Sequence, residues 1–367
     1  MKYFLIAGEA SGDQHAGKLM QSLALKDQEA EFQFLGGDKM SQQGDEPVIH
    51  IREMAFMGFT QLIRHLGKIR RNFKKARSAI KDFKPDVLIL VDYPGFNLRI
   101  AKWAKEQGYK VYYYIAPKVW AWNTKRVYSL KENTDKVFSI LPFEKDFFNA
   151  FKLDTIYAGN PVLEEINRQY PDATGKIREG IKKIALLPGS RKQEIDRVLP
   201  VMAEVVSRFK EYTFVIAGMG EHRDLYAKYI SENSRLEISY KGTLYVLNDA
   251  AAALVTSGTA TLEAALMGIP QIVCYKTNPL SYMIARRLIK VPYISLVNLI
   301  LHRPAVPELI QANCSANNLA DDLKMILPDG AKREDQLDIS RKIREEIGAK
   351  QSSDYLSSLI ISSLKLV

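Results

Sequence analysis

Short, unbroken apolar runs recur along this chain, each followed by a turn and a stretch of helical spacing, and this pattern limits the fold more than any other feature. Residues 87–91, VLILV, lack the polar alternation of a strand with one wet face, so both faces must be covered, as in a parallel sheet. Runs at 2–7, 32–35, 110–115, 136–141 and 155–158 read the same way. A second series follows at 183–187, 213–217, 252–255 and 271–274. Strand and helix alternate at βαβ spacing in both series, which predicts an α/β protein with two Rossmann-like, doubly wound domains. The polar, turn-rich segment 169–182 is the expected link. The division this gives is 1–168, 169–330 and a set of carboxyl-terminal helices, 331–367, packing back on a domain or on a partner protomer. At 367 residues the chain is long enough for two separate cores.

With 47% hydrophobic and 26% charged residues, disorder is not expected. Cys274 and Cys314 match no metal-ligand spacing and suit a reducing compartment. The apolar run before Glu9 is too short for a secretory leader, and no run approaches the ~20 apolar residues that cross a bilayer. A cytoplasmic protein is expected, touching membrane only from the surface.

The net charge of +10 is concentrated, since 64–84 carries nine Lys or Arg against Asp82 alone. Within it Leu62, Leu66, Ile69, Phe73, Ala76, Ile80 and Phe83 recur at steps of three and four, which predicts one buried stripe with the cations on the other faces. Met54, Phe56, Met57 and Phe59 crowd at the entrance of this helix, beside Arg64 and Lys68. That composition suits an anionic membrane surface, although a solvated face is the more frequent reason for such a charge run.

Three loops hold site candidates. Asp92 follows the 87–91 strand at its carboxyl end, where open α/β sheets bind ligands; it also fits a turn ahead of Pro94. GEASGD at 8–13 joins the first strand to a helix. Ser11 and Gln14 there read as a capping box, while Glu9 and Asp13 beside glycines suit hydroxyl recognition. GDQHAGK at 12–18 matches a phosphate loop until Leu19, but it begins too far from the strand and carries acids, so it is rejected. In PGSRKQE at 188–194, Ser190 and Gln193 again read as a capping box. Arg191 and Lys192, placed in the first helical turn, oppose the helix dipole unless an anion binds there. Ser257, Gly258 and Thr259 open another helix and make a second anion candidate. Glu263 is free for ribose hydroxyls or is simply solvated. Gly218-Met219-Gly220 is a fragment of a dinucleotide fingerprint without its third glycine, so NAD binding is not expected.

Together, AGEASGD (7–13), MGF (57–59), VDYPGFNLRIAK (91–102), PKVWAW (117–122), LPFE (141–144), GNP (159–161), LLPGSRKQEI (186–195), TSGTATLEAAL (256–266), SLVNLI (295–300) and VPELIQ (306–311) resemble the lipid-A-disaccharide synthases, inverting glycosyltransferases of the GT-B type. The resemblance implies two domains facing across a cleft, and transfer of a sugar from UDP-2,3-diacylglucosamine to the 6-hydroxyl of 2,3-diacylglucosamine 1-phosphate. It implies Asp92 as the base. Arg191, Ser257, Gly258, Thr259, Glu263 and Asn298 would hold UDP, with Glu9, Ser11, Asp13 and Asn97 also binding substrate. No metal or other cofactor is implied. Acylated substrates shift the basic helix toward a contact with the anionic inner-membrane surface, and the resemblance allows a homodimer built by exchange of carboxyl-terminal elements. The rivals are another GT-B enzyme using UDP-N-acetylglucosamine, such as a peptidoglycan transferase or 2-epimerase, and a basic nucleic-acid-binding protein. The latter is weakened because the cations have no interleaved aromatics, so no nucleic acid is expected.

Overall fold

A computed structural model describes residues 1–54, 66–173, 180–348 and 352–365. Its contacts divide the chain into one unit of 1–161 with 350–367 and another of 162–349.

The first unit is built on a seven-stranded sheet: β1 (Lys2–Ala7), β2 (Glu31–Gly36), β3 (Ile49–His50), β4 (Val87–Val91), β5 (Val111–Tyr114), β6 (Lys136–Ser139) and β7 (Thr155–Tyr157), in the order β3-β2-β1-β4-β5-β6-β7. Every neighbouring pair is parallel. The second unit holds six strands: β8 (Lys183–Leu187), β9 (Thr213–Ala217), β10 (Leu236–Ser239), β11 (Ala252–Thr256), β12 (Gln271–Tyr275) and β13 (Glu308–Ile310), in the order β10-β9-β8-β11-β12-β13. These also pair in parallel throughout.

The unbroken apolar runs have a direct cause. Phe4, Ile6, Leu88 and Leu90 enter the core on one face of the first sheet. Tyr3, Leu5, Val87 and Ile89 enter the core on the other face. Alternate side chains of a strand point to opposite faces, so two covered faces leave no position for a polar residue. The strands absent from the sequence reading, β3, β10 and β13, include polar and half-buried positions and lie at sheet ends.

The carboxyl-terminal helices go to different units. The Arg333–Ile347 helix docks on the second: the Gln336 amide accepts from the Gln271 N–H at 2.7 Å and donates to the Gln271 carbonyl at 3.1 Å. The Ser352–Lys365 helix packs on the first, beside the Ala10–Lys26 helix. Its buried serines serve that contact: Ser357 pairs with Ser22 at 2.8 Å, and Ser352 with the Tyr114 hydroxyl at 3.1 Å. Cys274 and Cys314, distant in sequence, are both buried in the second core.

On the Leu66–Phe83 helix, Ala76 and Ile80 are buried and Phe73 and Phe83 pack partly against the core, as the stripe predicts. Met54, named with the membrane-contact set, is only 1% exposed and belongs to the core. Lys68 is partly exposed on the same helix. Phe56, Met57, Phe59 and Arg64 lie outside the described residues.

Candidate active site

The order of each sheet reverses at one place, between β1 and β4 in the first unit and between β8 and β11 in the second. Connections leave such a pair toward opposite faces, opening a crevice at the carboxyl ends of the strands where ligands bind. Glu9 follows β1 and Asp92 follows β4; Arg191 follows β8, and Ser257 follows β11. Each set of sequence candidates therefore falls at its own unit's switch point.

Asp92 and Tyr93 have φ of +47° and +50°, and Ile115, at the end of the adjoining β5, has +60°. Non-glycine residues rarely adopt this region, a β-branched isoleucine least of all, and clusters of such residues mark sites whose surroundings fix them. The restraints are visible. Asn97, fully buried, donates to the Asp92 carbonyl at 2.8 Å, and the Tyr113 hydroxyl donates to the same oxygen at 2.7 Å. The Tyr93 hydroxyl donates to the Met54 carbonyl at 2.8 Å. Its ring lies against Gly8, where an added Cβ would be 2.2 Å from a ring carbon, so position 8 admits no side chain unless the ring moves. These contacts turn the chain so that the Asp92 carboxyl is half-buried at the sheet edge. Burial, then the neighbouring Glu9 charge, push it up to about 6, against the opposing pull of the Lys118 cation and the Tyr93 N–H. A carboxylate with such a value stays largely ionised near neutral pH and holds a proton more firmly than an exposed one. The Asn97 NH2 group, named as a substrate contact by resemblance, is directed to the carbonyls of Asp92, Val91 and Ile6, while its side-chain oxygen is buried without a hydrogen-bond partner.

The acids of the first loop have different fates. Glu9 is exposed and is the N-cap of the Ala10–Lys26 helix, with no side-chain capping bond. Ser11 is exposed inside the first turn, so the expected Ser11–Gln14 capping box does not form. Asp13, named with Glu9 for hydroxyl recognition, is engaged inside the fold. It is 4% exposed and accepts from the N–H groups of Gly37, Lys39 and Met40 at 2.7, 3.0 and 3.2 Å. An ionised carboxylate has about four acceptor sites, and most are committed to bracing the turn after β2.

Beyond β5, Trp120 is buried and donates its indole N–H to Glu144 at 3.0 Å, while Trp122 is 47% exposed under the Arg126 guanidinium. Glu144 opens the Pro142–Ala150 helix and reaches back to the N–H groups of Ile140 and Leu141. Burial pushes its carboxyl up to about 7, against these hydrogen bonds and the Lys118 charge. Lys118 thus acts on both Asp92 and Glu144. Neither Lys118 nor Glu144 was singled out from the sequence; the usable signal was a lysine just past a strand's carboxyl end and a glutamate at the third position of a helix.

In the second unit the helix after β8 spans Lys192–Val205, with Arg191 at its N-cap rather than in its first turn. The cap is supplied by Glu194, whose carboxylate accepts from the Arg191 N–H at 3.3 Å, and not by Ser190 and Gln193. Gly189 makes this fit: its φ is +105°, and an added Cβ would lie 2.5 Å from a Glu194 oxygen. The Arg191 guanidinium is exposed, its nearest carboxylate contact being Glu194 at 3.7 Å, whereas Lys192 pairs with Asp196 at 2.6 Å. Gly258 and Thr259 are exposed at the start of the Thr259–Leu266 helix, with Gly258 at the N-cap. The Ser257 hydroxyl donates to the Ile294 carbonyl at 2.7 Å, which leaves its oxygen able to accept but not its proton to give. Glu263 is partly buried, and burial pushes its carboxyl up to about 7.

Asn298, implied as a UDP contact by the resemblance, is held inside the fold. It is 1% exposed, donates to the Val306 carbonyl and to Glu308 at 2.9 and 2.8 Å, and accepts from the N–H groups of Ala305 and Val306 at 2.8 Å each. Its side chain thus makes four hydrogen bonds inside the fold. Glu308, which also accepts from the N–H groups of Ile294 and Ser295, anchors the same segment. Among the described residues no group of three or more His, Cys, Asp or Glu is arranged to hold a metal ion.

Comparison with known proteins bears on the family and the fold. A family profile described as lipid-A-disaccharide synthetase matches residues 3–360. The chain is similar to the lipid-A-disaccharide synthase of Myxococcus xanthus, 35% identical with 99% of this chain and 97% of that one covered. It is also similar to that of Nitrosococcus oceani, 36% identical with 94% and 92% covered. Among solved structures it resembles a glycosyltransferase of kitacinnamycin (TM-score 0.70, 14% identity, 99% of each chain). It likewise resembles a UDP-GlcNAc 2-epimerase from Neisseria meningitidis (TM-score 0.68, 13% identity, 100% of each chain). Those structural likenesses establish the two-sheet GT-B fold, and the sequence matches establish the activity class: the chain belongs to the lipid-A-disaccharide synthases, the glycosyltransferases that form the disaccharide of lipid A.

Proposed function

We propose that the chain transfers the sugar of UDP-2,3-diacylglucosamine to the 6-hydroxyl of 2,3-diacylglucosamine 1-phosphate, with Asp92 as the base. As the hydroxyl oxygen attacks the anomeric carbon, Asp92 takes its proton, the β-1,6 bond forms, the bond to the β-phosphate oxygen breaks, and UDP leaves with the electron pair. One base on the acceptor side and charge stabilisation on the departing diphosphate are what inversion needs. The observation that carries the reading is Asp92 itself, held half-buried at a switch point by bonds to its own carbonyl, with its ionisation near 6. In the second unit, Arg191 grips the diphosphate with the free N–H groups at Gly258 and Thr259, and Ser257 accepts from the ligand. Glu263 receives the ribose hydroxyls. Glu9 and Ser11, exposed beside Asp92, receive acceptor hydroxyls; Asp13, Asn97 and Asn298 hold the loops.

Turnover of the Asp92→Asn variant with both lipid substrates, beside a UDP titration, tests this assignment: turnover is lost and UDP affinity is kept. Near-normal turnover removes Asp92 from the mechanism. Turnover of non-acylated UDP-N-acetylglucosamine alone would favour the rival substrate class.

Lipid-borne substrates also require an approach to the inner membrane from the cytoplasmic side. The basic helix and the Phe56, Met57, Phe59 and Arg64 segment supply it in the first unit, with Lys68 at its border. Liposome co-sedimentation of a Phe56→Ser, Phe59→Ser variant reads this directly, and unchanged binding by a folded variant ends the idea. A homodimer remains part of this reading, to be tested by sedimentation equilibrium.

A further inference from the structure

We propose a second lipid-docking element, in the second unit, formed by residues 279–290. The Pro279–Leu288 helix leaves the carboxyl end of β12, with Asn278 capping it by accepting from the Leu280 N–H at 2.9 Å. Leu280, Met283, Leu288 and Ile289 are 61, 50, 57 and 41% exposed. Scattered exposed apolar residues are ordinary; four large ones in a ten-residue span form a patch that water penalises.

Arg286, Arg287 and Lys290 are exposed within the same span. No acidic residue occurs between Lys276 and Pro307. Cations at a helix carboxyl end favour the dipole, which accounts for the position of the two arginines but not for the apolar residues between and beside them. An apolar face interspersed with Arg and Lys, and free of acids, is complementary to one partner above others: an anionic bilayer surface, which takes the apolar side chains into the acyl boundary and the cations at the headgroups. The location is apt for the chemistry. Tyr275, the last residue of β12, lies close enough to Arg191 and Glu194 to feel both charges, so the patch begins beside the proposed diphosphate grip.

This inference shares its partner with the first-unit membrane contact proposed above, and the test separates the two. Full-length wild type, Leu280→Ser/Met283→Ser/Leu288→Ser, Arg286→Gln/Arg287→Gln/Lys290→Gln and Phe56→Ser/Phe59→Ser are each partitioned onto phosphatidylcholine vesicles with and without phosphatidylglycerol. All replaced residues in the two 279–290 variants are exposed, so both should keep the wild-type Tm. The charge variant is expected to lose affinity for anionic vesicles by roughly fivefold per cation, with little change on neutral ones. The apolar variant should lose it on both. Wild-type partitioning by both 279–290 variants overturns the proposal, whatever the Phe56/Phe59 variant does. Loss of self-association in either variant with vesicle binding intact also overturns it, identifying the patch as a contact with a second copy. Unchanged binding by the Phe56/Phe59 variant alone sinks only the first-unit contact.

Discussion

Asn97 holds Asp92 by its backbone carbonyl, at 2.8 Å, and leaves the carboxylate untouched. The base proposed above is thus aimed by a residue that cannot compete for its proton. Replacing Asn97 by Ala leaves that carbonyl with Tyr113 alone and opens a buried polar gap. A stability loss of about 1–3 kcal/mol is expected, with kcat falling and UDP affinity preserved; urea unfolding and steady-state kinetics on the same sample check it.

The pH dependence of turnover should report Asp92. Its carboxyl must be ionised to accept a proton, so kcat/KM falls about tenfold per pH unit on the acid side of about pH 6. Lys118 lowers that value and Glu9 raises it. Lys118→Gln therefore moves the acid limb to higher pH, and Glu9→Gln moves it lower. Limbs that stay in place in both variants would assign the titration to another group.

Stability should respond to pH in the opposite sense from a salt-bridged acid. Asp92, Glu144 and Glu263 hold protons more tightly in the folded chain than their ordinary values of 3.8, 4.5 and 4.5. Between those values and about 6 to 7 the folded state binds more protons, so these groups make stability fall as pH rises through that window. Glu144→Gln removes one of them, and its Tm should vary less than that of wild type between pH 4.5 and 7.5.

Glu9 and Asp13, read alike in the sequence, should separate on mutation. Asp13→Ala strands three backbone N–H groups and should cost about 3 kcal/mol or more. Glu9→Gln should leave Tm unchanged and act only on kinetics. Differential scanning calorimetry distinguishes them.

Arg191 and Asn298, both assigned to UDP by resemblance, should divide the same way. Arg191→Ala is expected to weaken UDP by about 10- to 100-fold at constant Tm. Asn298→Ala breaks four internal bonds and should lower Tm first. Isothermal titration and thermal melts on both variants decide it.

The fold was legible because burial on both faces leaves an unbroken apolar run that few other structures share; Lys2–Ala7, Val87–Val91 and Lys183–Leu187 end where the sequence says they end. Sheet ends escape this logic, as β10 and β13 show, since one uncovered flank admits polar residues. Candidate positions in the loops after β1, β4, β8 and β11 could be named from the sequence, but not which of their side chains are engaged within the fold. Asp13 meets its partners 24 to 27 residues away, and nothing in its own loop announces them. The capping boxes were misread for a related reason: at 188–195 the sequence offers a serine with a glutamine, and the fold uses the next residue, Glu194, because a carboxylate is the stronger acceptor for a backbone N–H.

The bond from Trp120 to Glu144 makes the protein an instrument for observing itself. An indole whose N–H rests on a carboxyl that changes charge near pH 7 will change its emission as that carboxyl titrates. The chain has only three tryptophans, so exchanging Trp103 and Trp122 for phenylalanine leaves a single tryptophan resting on Glu144, whose emission reports the charge of that carboxyl without a label.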